Sequence, residues 1–166
     1  MRIVLIGGAP GVGKSTVARL LLGIASGGST LVQWVDVDGL WRHSPRRDDA
    51  ALTRMRDANL AAVVPSAADA GVEVLIATAV FSSEDERRAV TAAAPADAEI
   101  TTIQLHVDLE AWHDRIDSDA DRPPVDEAFR RQHEGAQSIA ADHVLDTSDV
   151  EAEDVASAIA LILELG

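Results

Sequence analysis

The residues most able to do chemistry in this 166-residue chain lie close together, at positions 8–15. Their sequence, Gly-Ala-Pro-Gly-Val-Gly-Lys-Ser, matches the phosphate-binding pattern G-x-x-x-x-G-K-[ST]. Of the 14 lysine and arginine residues in the chain, 13 are arginine, and Lys14 is the only lysine. A compact ammonium group fits between two phosphates better than a planar guanidinium does. We therefore expect a nucleoside triphosphate to contact this loop and the residue after it: Gly8, Ala9, Pro10, Gly11, Val12, Gly13, Lys14, Ser15 and Thr16.

The segments on either side of the loop have the character that such a motif requires. Residues 2–6 form a short apolar run that predicts a buried parallel strand. From Ser15 to Ala25, apolar residues recur at helical spacing. In a strand–loop–helix unit, the loop N–H groups and the positive end of the helix both face the phosphates. The Ser15 hydroxyl is then placed to bind magnesium. The alternative is a glycine-rich turn that carries Lys-Ser by chance, and such a turn would not need a strand before it and a helix after it.

Composition restricts the partners and surroundings that we expect. The formal net charge of −14 argues against a nucleic-acid or anionic-membrane surface, because both need a basic face. The chain contains no cysteine, so disulfides and thiolate metal sites are excluded, and we expect a cytoplasmic protein. The longest apolar run, residues 74–81, is too short to span a bilayer. The scattered histidines have no zinc-ligand spacing.

Alternating strand and helix patterns predict an α/β protein. Strand-like runs lie at residues 3–6, 31–37, 72–78, 100–107 and 143–145. Parallel strands joined by helices form a sheet that is covered on both sides. We therefore expect a single domain over residues 1–166 with a three-layer P-loop NTPase fold. Its sheet would be five-stranded and mostly parallel, with helices on both faces.

Apolar stripes and capping residues predict the helices. A helix with Leu52, Met55, Leu60 and Val63 on its apolar stripe should be broken or kinked at Pro65. Ser83 is a plausible N-cap, because three acidic residues follow it. A helix after the fourth strand is predicted by the stripe Leu109, Trp112 and Ile116. A last helix is predicted by the stripe Val155, Ala158, Ile159 and Ile162.

Several classes of P-loop protein do not fit the sequence. GTPases of the Ras type read guanine with Asn-Lys-x-Asp, which this chain cannot contain because it has no second lysine. ABC ATPases need a signature loop and a longer chain. AAA+ and RecA-type motors are larger and carry an acidic residue at the end of a hydrophobic strand, where this chain has Ala-Thr-Ala-Val at residues 77–80.

The chain resembles the small P-loop kinases of the shikimate, gluconate and nucleoside type along its whole length. Its second strand ends in Val-Asp-Val-Asp, residues 35–38, and these kinases carry a similar Asp-x-Asp there. The resemblance implies that Asp36 holds magnesium and that Asp38 accepts the proton of the attacking hydroxyl. Alternation along a strand would put both carboxylates on one side. The alternative is that Asp38 caps a helix and Asp36 is solvated.

Two further segments carry the same resemblance. Arg115-x6-Arg122-Pro123 is similar to a motif of shikimate kinases, which implies that Arg115 stacks on adenine. Arg122 would then act as a catalytic arginine from a mobile lid at about 117–124, unless both arginines only balance nearby aspartates. Asp146-Thr147-Ser148 resembles an Asp-Thr-Ser near adenine, which adds Thr147 and Ser148 to the expected nucleotide contacts, although it could be an ordinary turn.

The chain departs from this pattern where the acceptor would bind. The glycine triplet of shikimate kinases is replaced at residues 77–80, residues 136–142 contain no arginine, and no gluconate-kinase lid motif is recognisable. The acceptor should contact residues 38–43, the helix 48–63 and residues 78–81. Trp41 could stack on the acceptor or pack as core. Five arginines could face an anionic acceptor or pair with neighbouring aspartates: Arg42, Arg46, Arg47, Arg54 and Arg56. Two others, Arg87 and Arg88, could reach the acceptor or the phosphates.

These observations predict an ATP- and Mg²⁺-dependent phosphotransferase that acts on a hydroxyl of a small molecule. Catalysis would depend on Lys14, Asp38 and Arg122, and Mg²⁺ would bind Ser15 and Asp36. A nucleoside, a sugar or an antibiotic is a possible acceptor. The alternatives are a nucleotide-sensing P-loop protein and a nucleoside monophosphate kinase, and the oligomeric state is left open.

Overall fold

The computed structural model describes residues 1–45, 47, 49–81, 83–118 and 126–165. Five strands form one sheet: β1 (Arg2–Gly8), β2 (Val32–Asp36), β3 (Val74–Thr78), β4 (Glu99–His106) and β5 (His143–Asp146). Their order is β2-β3-β1-β4-β5, and each pair of neighbours is parallel. The five predicted strand positions are therefore confirmed, and the sheet is parallel throughout rather than mostly parallel.

Helices connect the strands and cover the sheet on both faces. They are α1 (Lys14–Ala25), α2 (Ala50–Asp69), α3 (Glu84–Thr91), α4 (Leu109–Asp117), α5 (Glu127–Ser138) and α6 (Ala152–Ile162). A short 3₁₀ helix, Asp38–Trp41, follows β2. The predicted three-layer α/β fold is confirmed.

The two faces of the sheet form two hydrophobic clusters, which explains why β1 is apolar at successive positions. Val4 and Ile6 pack on one side with residues of α1, α4 and α6. Ile3 and Leu5 pack on the other side with residues of α2 and α3. A strand buried on both faces needs apolar side chains in both directions. Each such side chain contributes about 1.5–3 kcal/mol when it is fully buried, and β1 thereby fixes the start of the phosphate-binding loop.

The helix predictions are confirmed only in part. A break at Pro65 is wrong, because α2 continues to Asp69 and buries Ala67 beyond the proline. Met55 was placed on the apolar stripe of α2, but it is exposed. Helix α5 was not predicted, since its polar sequence offers little apolar periodicity. Leu109 was placed on the buried stripe of α4, but it is exposed at the first residue of that helix, whereas Trp112 and Ile116 are buried as expected.

The N-cap predicted for α3 is present. The Ser83 hydroxyl accepts a hydrogen bond from the Glu86 N–H at 3.4 Å, and three acidic residues occupy the first turn. Among the described residues, no helix is long and apolar enough to cross a membrane.

Candidate active site

The loop between β1 and α1 has the backbone conformation that its glycines predict. Gly8, Gly11 and Gly13 have φ angles of 147°, 86° and 101°. Such angles are unfavourable for residues with a Cβ atom. At Gly8 space is also restricted, because a Cβ there would lie 2.7 Å from Val12 Cγ1 and 2.8 Å from the Leu105 carbonyl oxygen. Gly8 therefore lets the chain leave the sheet beside β4, and Gly13 leads directly into α1.

Lys14 lies over this loop. Its Nζ donates hydrogen bonds to the carbonyl oxygens of Gly8 and Ala9, both at 2.8 Å. The ammonium group is thus held on the side of the loop that faces the carboxyl ends of the strands. In open α/β sheets, ligands bind at that edge.

Six of the nine residues predicted to contact the nucleotide at positions 8–16 line one cavity of about 420 Å³ at this edge, together with Asp36 and Asp38. The P-loop contributes most of one side, and the ends of β2 and β3 contribute the other. The lining residues are Pro10, Gly11, Gly13, Lys14, Ser15, Thr16, Asp36, Asp38, Arg42, Thr78 and Val80. The structure therefore brings Lys14, Ser15, Asp36 and Asp38 together.

Asp36 and Asp38 share this cavity for a different reason from the one predicted. Strand β2 ends at Asp36, and Val37 has helical φ and ψ angles of −62° and −38°. Strand alternation therefore does not extend to Asp38. The chain turns into the 3₁₀ helix at this point, and the Val37 N–H donates to the Thr78 carbonyl at 3.0 Å. This turn, anchored on β3, brings the second carboxylate to the cavity.

Asp38 does not cap a helix as the alternative interpretation required. It is the first residue of the 3₁₀ helix, whose N-cap is Val37, and its Oδ2 accepts the Val80 N–H at 3.4 Å. Burial raises the pKa of the Asp38 carboxyl above its ordinary value, and the nearby Lys14 charge opposes this only in part. The negative charge of Asp36 raises the pKa further. A carboxyl with a raised pKa next to a phosphate site has the properties of a general base.

A second cavity of about 230 Å³ lies on the other side of the P-loop, where Arg115 meets the loop and the start of α6. The Arg115 guanidinium donates to the Thr147 hydroxyl at 3.1 Å and to the carbonyls of Thr147 and Ser148. Thr147 is 3% exposed, and its hydroxyl donates to the His106 carbonyl at 2.9 Å. The cavity is lined by Gly11, Val12, Gly13, Thr16, Val17, Arg115, Thr147, Val150, Glu151, Ala152 and Val155.

Ser148 belongs to the turn before α6 and does not line this cavity. Its hydroxyl donates to Asp146 Oδ1 at 2.6 Å and accepts the Asp108 N–H at 2.9 Å. The Ser148 N–H also donates to Asp146 Oδ1, at 2.9 Å, and the bonds from the Ser148 hydroxyl and N–H lower the pKa of the Asp146 carboxyl. The turn interpretation therefore accounts for the Ser148 side chain.

The wall on the expected acceptor side is formed by the 3₁₀ helix packed on α2. Asn59 Nδ2 donates to the Leu40 carbonyl at 2.7 Å. The Arg56 guanidinium lies 5.7 Å from the centre of the Trp41 ring and forms an ion pair with Asp57 at 2.8 Å. The Trp41 ring therefore has a partner within the protein, and Trp41 is not among the residues that line the 420 Å³ cavity.

Three of the other candidate arginines have partners outside the large cavity. Arg47 pairs with Asp49 at 3.6 Å, and Arg88 pairs with Asp85 at 2.8 Å. Arg87 is 5% exposed and donates to Gln104 Oε1 at 3.1 Å, away from the cavity lining. Arg42 differs from them, because it lines the large cavity and forms no ion pair with any other described residue. Arg46 lies outside the described residues.

Two tryptophans support the site through hydrogen bonds that the sequence did not predict. The Trp112 Nε1–H donates to the Pro10 carbonyl at 2.7 Å, which ties α4 to the P-loop. The Trp34 Nε1–H donates to the Thr78 hydroxyl at 2.9 Å, on the floor of the large cavity. The partners are 102 and 44 residues apart in sequence, so no local pattern could have indicated either bond.

Arg122 and most of the predicted lid, residues 119–124, lie outside the described residues. Within the described part of the chain, no group of three or more histidine or acidic residues could hold a metal ion by itself. The oxygen atoms of Ser15 and Asp36 nevertheless border the same cavity, and oxygen ligands are those that Mg²⁺ prefers. A Mg²⁺ ion that keeps several waters and binds nucleotide phosphates needs only one or two protein oxygens, so this donor set fits it.

A family model described as AAA domain matches residues 3–140. The protein belongs to this family. No curated protein matches the chain significantly. The family match spans the P-loop, both aspartates and Arg115, but its name does not specify a reaction.

Solved structures with the same fold include small P-loop kinases. A sugar kinase from Janibacter sp. superposes with a TM-score of 0.74 at 16% identity, over 100% of this chain and 96% of that one. The tunicamycin resistance protein of Deinococcus radiodurans gives 0.71 at 18% identity, over 99% and 96%. Shikimate kinase from Aquifex aeolicus gives 0.62 at 21% identity, also over 99% and 96%. The resemblance to small P-loop kinases is confirmed at the level of the fold.

Proposed function

We propose that the protein is an ATP- and Mg²⁺-dependent phosphotransferase that transfers the γ-phosphate to a hydroxyl group of a small molecule. The observation that carries this proposal is that Asp38 and the P-loop line the same cavity. A phosphate site alone would suit any nucleotide-binding protein. A partly buried carboxylate facing that site adds a group that can accept a proton from an attacking hydroxyl.

The P-loop side of the cavity would hold the nucleotide phosphates. Lys14 and the loop N–H groups would neutralise and orient the β- and γ-phosphates. Ser15 and Asp36 would supply the protein oxygens for Mg²⁺, which would compensate the charge that develops on the phosphate oxygens. Arg115 and Thr147 line the smaller cavity and would contact the adenine.

The opposite side of the cavity would hold the acceptor. Asp38 would orient the acceptor hydroxyl and take its proton as the new bond to phosphorus forms. The raised pKa of Asp38 makes it a stronger base than an ordinary exposed aspartate. Arg122, on a lid at about 117–124, would cover the transferring group and exclude water.

The candidate acceptors come from the proteins with similar structures. These are a sugar kinase, a shikimate kinase and a tunicamycin resistance protein, so sugars, hydroxy acids and antibiotics are candidates. Arg42 lines the cavity without an ion pair to any described residue, which favours including acceptors that carry a phosphate or carboxylate. Nucleoside monophosphates belong to the same test for this reason.

The proposal is tested by measuring ADP release from Mg-ATP across a panel of hydroxyl-bearing acceptors. The panel would contain nucleosides, nucleoside monophosphates, sugars, sugar acids, and aminoglycoside and nucleoside antibiotics, with Lys14→Ala as the blank. We expect one acceptor class to stimulate ADP release in the parent protein and not in the blank. Nucleotide binding without stimulation by any acceptor would instead favour a nucleotide sensor.

A further inference from the structure

Thr78 is a buried polar residue in the centre of the candidate site. It is 1% exposed, ends β3 and lines the large cavity. Its Cα is paired with Ile6 on one side and with Asp36 on the other. Thr78 therefore lies between the strand that leads into the P-loop and the strand that ends in the predicted metal ligand.

The hydrogen bond from Trp34 determines what the Thr78 hydroxyl can do. An indole N–H is only a donor, so the Thr78 oxygen must be the acceptor of the 2.9 Å bond from Trp34 Nε1. The hydroxyl proton must then point elsewhere. Among the described residues none accepts a hydrogen bond from this hydroxyl, and the side chain borders the cavity. The hydroxyl can consequently donate a hydrogen bond to whatever occupies the cavity.

The position of Thr78 relative to Asp38 indicates which group that would be. The Thr78 carbonyl accepts the Val37 N–H at 3.0 Å, and the Val80 N–H, two residues after Thr78, donates to Asp38 Oδ2 at 3.4 Å. Thr78 thus lies on the same side of the cavity as the proposed base. In a phosphoryl transfer, the phosphate nearest the base is the one that is transferred. Phosphate oxygens accept hydrogen bonds and do not compete as donors.

We propose that the Thr78 hydroxyl donates a hydrogen bond to the terminal phosphate of the bound triphosphate, and that Trp34 fixes the hydroxyl in this orientation. Thr78 is then the residue by which the site distinguishes a nucleoside triphosphate from a diphosphate. This inference rests on the proposed function, because it requires a nucleoside triphosphate in the large cavity.

The experiment compares the affinity for two nucleotides in three variants. Thr78→Val keeps the shape of the side chain and removes the hydroxyl, but it leaves the half-buried Trp34 N–H without its partner. Trp34→Phe/Thr78→Val removes both polar groups, which avoids that cost. Thr78→Ser keeps the hydroxyl and serves as the control. Calorimetry would give the Kd for ADP and for a non-hydrolysable β,γ-substituted ATP analogue, both with Mg²⁺.

We expect Thr78→Val and the double variant to bind the ATP analogue about tenfold more weakly than the parent protein, the size expected when a hydrogen bond to a charged group is lost. Their affinity for ADP should not change, and Thr78→Ser should resemble the parent protein. Equal weakening for both nucleotides, or unchanged affinity for the analogue, would overturn the inference. If the parent protein binds both nucleotides and no acceptor stimulates turnover, the proposed function fails and the Thr78 inference is judged separately by these affinities.

Discussion

Asp38 is the residue whose chemistry depends most on its surroundings. Burial raises the pKa of its carboxyl, with a further contribution from the Asp36 charge. The folded protein therefore binds the Asp38 proton more tightly than the unfolded chain does. Stability that this proton contributes is present at acidic pH and is lost as the pH rises through the raised pKa. At neutral pH the ionised Asp38 carboxylate thus lowers the stability of the folded protein, but it is the form that can accept a proton.

We predict that Asp38→Asn separates these two effects. The variant should bind Mg-ATP like the parent protein but turn over at least about 100-fold more slowly, because it has lost its general base. At neutral pH it should also melt at a higher temperature than the parent protein. This difference should narrow as the pH falls through the pKa of Asp38. Turnover and thermal melting across a pH series would measure both effects. Full activity of Asp38→Asn, or a melting difference independent of pH, would contradict the prediction.

At the residue scale, the sequence predicted those features that depend on local pattern. The P-loop could be recognised because its glycines, its lysine and its flanks are adjacent in the chain. Asp36 and Asp38 were correctly placed in one cavity, although the turn at Val37, rather than strand alternation, brings them together. The role of Thr78 could not be predicted, because it depends on Trp34, which lies 44 residues away.

At the scale of elements, α4 supports the P-loop through Trp112. This side chain is fully buried, stacks at 4.5 Å on the His133 ring of α5, and donates to the Pro10 carbonyl at 2.7 Å. The bond joins the helix that leads into the predicted lid to the loop that would hold the phosphates. This one bond connects α4 directly to the phosphate-binding loop.

We predict that Trp112→Phe weakens nucleotide binding while the protein remains folded. Phenylalanine fills most of the buried space but cannot donate to Pro10, and the loss of one such bond is worth about 0.5–1.5 kcal/mol. Leu109→Ala is the matched control, because Leu109 lies on the same helix and is exposed. Nucleotide titration should show a several-fold higher Kd for Trp112→Phe only. The same Kd in both variants would mean that the loop does not depend on this bond.

Two helices show where element prediction from sequence reaches its limit. A proline inside a helix costs about 3 kcal/mol, so a break or a kink at Pro65 was the reasonable expectation. Val64 and Ala67 are buried against the sheet, however, and this packing offsets the cost. Helix α5 was missed because its contacts to the rest of the protein come from Phe129, His133 and Ala136 within an otherwise polar segment.

At the scale of the whole molecule, the charge distribution determines how a nucleotide can bind. The protein carries a net charge of −14, so its overall field repels an anionic ligand. Binding must then depend on local donors: the loop N–H groups, the helix N-terminus and Lys14. Since Lys14 is the only lysine in the chain, its replacement tests this dependence directly.

We predict that Mg-ATP stabilises the parent protein against thermal unfolding and that two Lys14 variants lose this effect to different degrees. At a nucleotide concentration of 100 times Kd, binding to the folded state adds about 2.7 kcal/mol. For a domain of this size, that corresponds to a rise in Tm of roughly 5–10 °C. Lys14→Ala should show almost no rise, because both the charge and its contacts to phosphate are gone.

Lys14→Arg decides why a lysine stands at this position. It keeps the positive charge but replaces the ammonium with a wide planar group that does not fit between two phosphates. If shape matters as argued, its rise in Tm should be close to that of Lys14→Ala. A rise equal to that of the parent protein would mean that charge alone suffices. The melting temperature of each protein without nucleotide is the baseline from which its own rise is calculated, and it also shows whether each variant is folded.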